Sequence, residues 1–202
     1  MSLQLHKLIK ILLLGTLTLT SWLNSNVFAK DMNPAVIDNR NNTNLTSALG
    51  TKWQLVTDTV MGGLSKGQLS LDEYKGKSCL RMRGNVTTEN NGGFVQIALP
   101  LSKNNTFDAS QYSGVEIEVA GNSEIYNIHI RTDELWFPWQ SYRSSFKAEN
   151  DWKKYRFPFQ KLDKYKTLHE FSPEQINRIG LVAIGREFQA DLCLTDIRFY
   201  ND

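Results

Sequence analysis

Val115-Glu116-Ile117-Glu118-Val119 places an aliphatic side chain at every second position with a carboxylate between. A strand turns successive side chains to opposite faces, so the three aliphatics share one face and the two glutamates the other. The same period of two recurs downstream. Ile128 and Ile130 alternate with Asn127, His129 and Arg131, and Tyr155 and Phe157 alternate with Lys154 and Arg156. Alternation of this kind marks an antiparallel sheet with one face on a core and one in water, since strands buried on both faces read as continuous apolar runs.

Outward from that stretch, β-branched and aromatic runs separated by turn residues predict ten strands, at 52–58, 67–71, 78–84, 93–99, 114–120, 125–132, 142–147, 153–158, 178–184 and 190–199. One short helical turn is expected where Ser172-Pro173-Glu174-Gln175 offers an N-cap and a proline at the first helical position. The fold class is therefore all-β, an antiparallel β-sandwich or jelly roll of about ten strands. The outward residues Glu116, Glu118, Asn127, His129, Arg131, Arg143, Lys154 and Arg156 mix both charges, and cross-strand ion pairs on a solvated sheet account for them.

The N-terminus reads differently. Lys7 and Lys10 precede a 13-residue apolar run from Ile11 to Leu23, and Val27-Phe28-Ala29 suits a signal peptidase. Residues 1–29 are predicted to be a signal peptide cleaved after Ala29, giving a periplasmic or secreted protein; a retained N-terminal anchor is the alternative. The Asn- and Thr-rich residues 30–47 are expected to be a flexible linker, with a short edge strand around Val36-Ile37, and residues 48–202 the sandwich domain. Removing residues 1–29 takes away two lysines and no acid, leaving 21 basic and 21 acidic residues. Such a balance lacks the basic footprint of a nucleic-acid binder or a membrane-surface binder. No membrane insertion is expected after signal removal.

Two cysteines, Cys79 and Cys193, are available for a disulfide in an oxidising compartment. With Leu80, Met82, Leu192 and Leu194 facing the core, both cysteines point away from it, and they meet only if their strands are neighbours.

Two glycine corners punctuate the strands. Trp53 is followed by Val56-x-Asp58-x-Val60-Met61-Gly62-Gly63-x-Ser65-x-Gly67, and thirty residues later by Asn91-Gly92-Gly93-Phe94. The glycines serve turns, Val60 and Met61 are expected to fill the edge of the core, and Asp58 and Ser65 to satisfy loop donors. With Asp108, Tyr112-x-Gly114, Trp152 and Phe157-Pro158-Phe159, these corners resemble the complex I intermediate-associated protein 30 family over about residues 50–200. The resemblance implies a galactose-binding-like β-sandwich that associates with other proteins, here as an exported, bacterial-type member.

The candidate ligand or partner surface is the segment 131–142, where Trp136, Phe137, Trp139 and Tyr142 stand beside Arg131, Asp133 and Glu134. Rings that stack on sugar faces and charged groups that bind hydroxyls have this composition, and so do protein hot spots. Residues 160–171 are expected beside it. Catalytic groups, metal ligands and cofactor motifs are not indicated: His129 and His169 have no metal-ligand spacing, and neither a nucleophile elbow nor a phosphate loop occurs. The leading expectation is an exported, non-catalytic module that binds a protein in an assembly-factor or chaperone-like role. Carbohydrate binding by the aromatic loop is the first alternative and respiratory complex I assembly the second.

Overall fold

The computed structural model describes residues 35–103 and 106–201. The expected signal peptide lies outside them. In chain order the first strands are β1 (Val36–Asp38), β2 (Gln54–Thr57), β3 (Lys66–Tyr74), β4 (Lys77–Val86), β5 (Phe94–Pro100) and β6 (Gly114–Gly121). They are followed by β7 (Ile125–Thr132), β8 (Ser141–Lys147), β9 (Lys153–Pro158), β10 (Asp163–Tyr165), β11 (Ile176–Ile184) and β12 (Phe188–Tyr200). They form two six-stranded antiparallel sheets, ordered β3-β4-β12-β6-β9, with β1 on β12, and β10-β8-β7-β11-β5-β2. β1 takes the side of β12 that β4 leaves free after Leu194.

The aliphatic halves of the alternating strands form the core between the sheets. Leu80, Met82, Ile117, Val119, Leu192 and Leu194 from the first sheet join Val95, Ile97, Leu99, Ile128, Ile130, Ile179 and Leu181 from the second. All of these are at most 1% exposed. The fold is an antiparallel β-sandwich; besides the ten strands, β1 falls where the short edge strand was expected, and β10, three residues long, is too short for a period to show. The helical turn at Pro173–Gln175 is one of four 3-10 turns among the described residues, and the Ser172 hydroxyl bonds to Glu174 Oε2 instead of capping it.

The stretch from 35 to 47 departs from the expected linker. Ile37 is fully buried, and Asp38 accepts the Trp53 indole N–H at 2.6 Å while pairing with Arg40 at 3.0 Å. Arg40 also donates to the carbonyls of Asn42 and Asn44. The asparagines that look like linker composition are turn residues around this buried ion pair, which fastens the segment to the sandwich.

The two glycine corners meet at one carboxylate. Asp58 is fully buried in a 3-10 turn and accepts four hydrogen bonds: Ser65 N at 2.9 Å, Ser65 Oγ at 2.5 Å, Gly93 N at 2.5 Å and Phe94 N at 3.2 Å. Burial pushes its carboxyl up, but the Ser65 hydroxyl and the N–H groups of Gly93, Phe94 and Ser65 together hold it below the ordinary carboxylate range. A Cβ on Gly63 would lie 2.4 Å from Asp58 Cγ, and one on Gly92 would lie 2.5 Å from Oδ2. Glycine is needed at both because the carboxylate rests against their backbones. Val60 and Met61, expected at the core edge, are 70% and 54% exposed, because the turn directs Asp58 inward in their place.

β4 and β12 are neighbours, and Cys79 and Cys193 are joined on the outer face of the first sheet with their Cα atoms 5.4 Å apart.

Candidate functional site

The β7–β8 connection is built around Arg131. Its Nη1 donates to the carbonyls of Phe137, at 2.8 Å, and Gln140, and its Nη2 donates to the carbonyl of Leu135 at 2.8 Å. The rigid guanidinium fork suits this task, because several donors fix several carbonyls at once. Leu135 is buried beneath the loop. Held in this way, Trp136 is 86% exposed, and the exposed rings of Phe137 and Trp139 stack at 4.9 Å with planes 7° apart. Gln140 accepts the Phe137 N–H and donates to the Lys166 carbonyl, tying the loop to the segment after β10. A shallow depression lined by Gln140, Lys166, Thr167, Leu168 and His169 adjoins the aromatic ridge.

Two of the six expected surface residues are not available to a ligand. Tyr142 is fully buried, its hydroxyl 2.9 Å from the Glu170 carbonyl and its ring edge-on to Phe171. The parity of β8 points it inward with Phe146, opposite Ile130. Arg131 is consumed by loop carbonyls and positions the aromatics instead of meeting a partner. Glu134 is half-buried, while Asp133, Trp136 and Trp139 are exposed.

The mixed-charge face expected from the sequence is two different faces. On the first sheet, Lys77 pairs with Glu118, Arg156 with Glu116, and Arg81 with both Asp72 and Asp191. On the second, His129 stands directly across from Arg143 on β8 and Gly180 on β11, and Arg131 across from Arg178. Among the described residues neither Arg143 nor Arg178 forms an ion pair. Arg143 donates to the Ser141 hydroxyl at 2.8 Å and lies 3.4 Å over the Tyr165 ring, an arrangement made by β10. Tyr165 and Arg178 were not singled out in the sequence, and Arg143 was read only as one of the solvated outward charges. Their spacing carries no local signal, because strand pairing alone brings them together.

Burial pushes the His129 imidazole down to about 3, with Arg143, Arg178 and Arg131 adding to the shift. The folded value lies below the ordinary 6.5, so the unfolded chain takes up the proton first. This contribution to stability is complete above pH 6.5 and is lost as pH falls towards 3. Between pH 6.5 and 5 the loss is expected to be about 1.5 to 2 kcal/mol, and His129→Gln should remove that slope. Urea unfolding of both proteins across this range measures it; parallel stability curves would rule the effect out.

Among the described residues no group of three or more His, Cys, Asp or Glu is placed to hold a metal ion. No helix among them is long and apolar enough to cross a membrane.

The chain is similar in structure to the family 11 carbohydrate-binding module of the cellulosomal cellulase Lic26A-Cel5E of Clostridium thermocellum. The TM-score is 0.67 at 11% identity, covering 84% of this chain and 95% of that one. The same Clostridium thermocellum module in complex with a β-1,3-1,4-mixed-linked tetrasaccharide gives a TM-score of 0.66 at 11% identity, over 83% and 95% of the two chains. A family 30 carbohydrate-binding module gives 0.61 at 18% identity, over 85% and 90%. These likenesses show the fold that the sheets describe, an antiparallel β-sandwich. No curated protein sequence matches the chain. The profile of complex I intermediate-associated protein 30 matches residues 43–194, spanning both corners gathered by Asp58 and the aromatic loop, and the chain is a member of that family.

Proposed function

We propose that this protein is an exported, non-catalytic carbohydrate-binding module whose sugar platform is the β7–β8 loop. The observation that carries the reading is the preorganised ridge of Trp136, Phe137 and Trp139, exposed yet fixed by three hydrogen bonds from Arg131. Exposed aromatic surface of this kind is costly unless something covers it, and a ring held rigid loses little entropy when a pyranose stacks on it. The sandwich shared with carbohydrate-binding modules, including one with a bound tetrasaccharide, supports the reading. The signal-like N-terminal stretch read from the sequence motivates the export.

Affinity electrophoresis through gels containing mixed-linked β-glucan, polygalacturonate or carrageenan tests the proposal. At least one polymer is expected to retard the protein. Trp136→Ala with Trp139→Ala should weaken that binding about tenfold or more while leaving the melting temperature nearly unchanged, since neither ring is in the core. Migration unaffected by every polymer would reject the sugar reading.

Family membership favours a second reading, an assembly-factor or chaperone-like role in which the same ridge meets a protein. Specific capture of one envelope protein, lost with the two tryptophans and insensitive to added oligosaccharide, would favour it.

A further inference from the structure

On the reading above, the face beside the platform narrows the class of sugar. We infer that the ligand is acidic, and that its uronate carboxylate or sulfate ester docks against Arg143 and Arg178 on the outer face of the second sheet.

The argument begins with charge. The first sheet gives the cations of its outer face carboxylate partners, and the second sheet does not do so for Arg143 and Arg178. Asp163 stands opposite Arg143 across the β8–β10 pair and still makes no ion pair with it. Both guanidinium groups are half-buried, and removing a cation from water without a counter-charge is unfavourable unless an anion arrives.

Geometry points the same way. Between the two arginines lies His129, 9% exposed, whose Nε2 is buried with no hydrogen-bond partner. Around it on the same face Ser141, Gly180, Ala98 and Val182 are themselves buried. A Cβ on Gly180 would lie 2.0 Å from Nε2 of Gln96, so the glycine lets the Gln96 carboxamide lie across this face beside His129. The patch therefore offers two charged forks, an imidazole and an amide on one face of the sheet. Guanidinium forks match the planar or tetrahedral oxygens of carboxylates and sulfates, and charge-assisted bonds of this type are the strong ones. Tyr165, lying against Arg143 on β10, continues the ring-lined edge towards the β7–β8 loop.

The experiment uses matched polymers. Polygalacturonate is compared with its methyl ester, carrageenan with its desulfated form, and neutral mixed-linked β-glucan and poly-glutamate serve as references. One acidic polymer, which distinguishes carboxylate from sulfate, should bind about tenfold or more tightly than its neutral counterpart, with affinity falling as salt rises. Arg178→Gln and Arg143→Gln should each remove about that factor, and Arg83→Gln on the opposite sheet should not. Circular dichroism melting confirms that each variant is folded. Equal binding of acidic and neutral polymers, unchanged in Arg178→Gln, overturns this inference and leaves sugar binding standing. Poly-glutamate binding as tightly as the best acidic sugar also overturns it. Binding of no polymer rejects both readings together.

Discussion

Replacing Asp58 by Ala is expected to remove about 3 to 5 kcal/mol of folding stability, more than any single surface change in this molecule. The carboxylate is buried and accepts from Ser65 N, Ser65 Oγ, Gly93 N and Phe94 N. Its loss leaves three backbone N–H groups without an acceptor and opens a void against Gly63 and Gly92, whose bare backbones fit only that side chain. Asp58→Asn keeps the volume but turns an N–H₂ towards some of these donors, so it should recover only part of the loss. Because hydrogen bonds hold the folded carboxyl below its ordinary value of 3.8, this stability is complete well above pH 4 and declines as pH falls through the lowered value. Equilibrium denaturation of the two variants measures the effect. A loss below about 1 kcal/mol for the alanine variant would show that water replaces the carboxylate at little cost.

The same carboxylate shows how far the sequence could be read. Two glycine corners thirty residues apart are visible as a pattern, and their residue types tell of turns. Only the structure reveals that both turns exist to reach one acceptor, because hydrogen bonding between distant segments leaves no period behind. The strands were legible for the opposite reason: one-sided burial writes its own alternation, and β7 and β9 have the bounds that alternation predicts. Alternation separates in from out but says nothing about which sheet a strand joins. Hence Glu116 and Arg143 read as one mixed-charge face, although the topology sends them to opposite sheets, one with its charges paired and the other with Arg143 outside any ion pair. Composition misplaced Tyr142 by drawing it into the aromatic cluster ahead of β8, whereas its alternation with Phe146 assigns it to the interior. The aromatic ridge itself was legible from Trp136 and Trp139; the role of Arg131 as its brace was not, since a guanidinium facing carbonyls looks the same in sequence as one facing solvent.

Breaking the Cys79–Cys193 bond, by reduction or by Cys79→Ser with Cys193→Ser, should lower folding stability by about 4 to 5 kcal/mol. The bond closes a loop with a sequence separation of 114 residues, which includes β5 through β11, so the unfolded chain gains much freedom when it is cut. In the folded state little else changes: β4 and β12 remain hydrogen-bonded from Phe188 to Leu194, and the bond sits on the outer face of the first sheet. The β7–β8 loop and the Arg143–Arg178 patch belong to the second sheet. Reduction should therefore lower the denaturant midpoint without changing sugar affinity at 25 °C, provided the protein stays folded. Denaturation with and without reductant, paired with binding measurements, tests both halves. A stability loss under about 1 kcal/mol would mean that the reduced unfolded chain is already compact. A change in affinity at full folding would mean that the two sheets are coupled and the platform is not independently braced by Arg131. A domain whose stability rests this heavily on one disulfide is suited to an oxidising compartment, which gives the proposed export a physical reason within the fold.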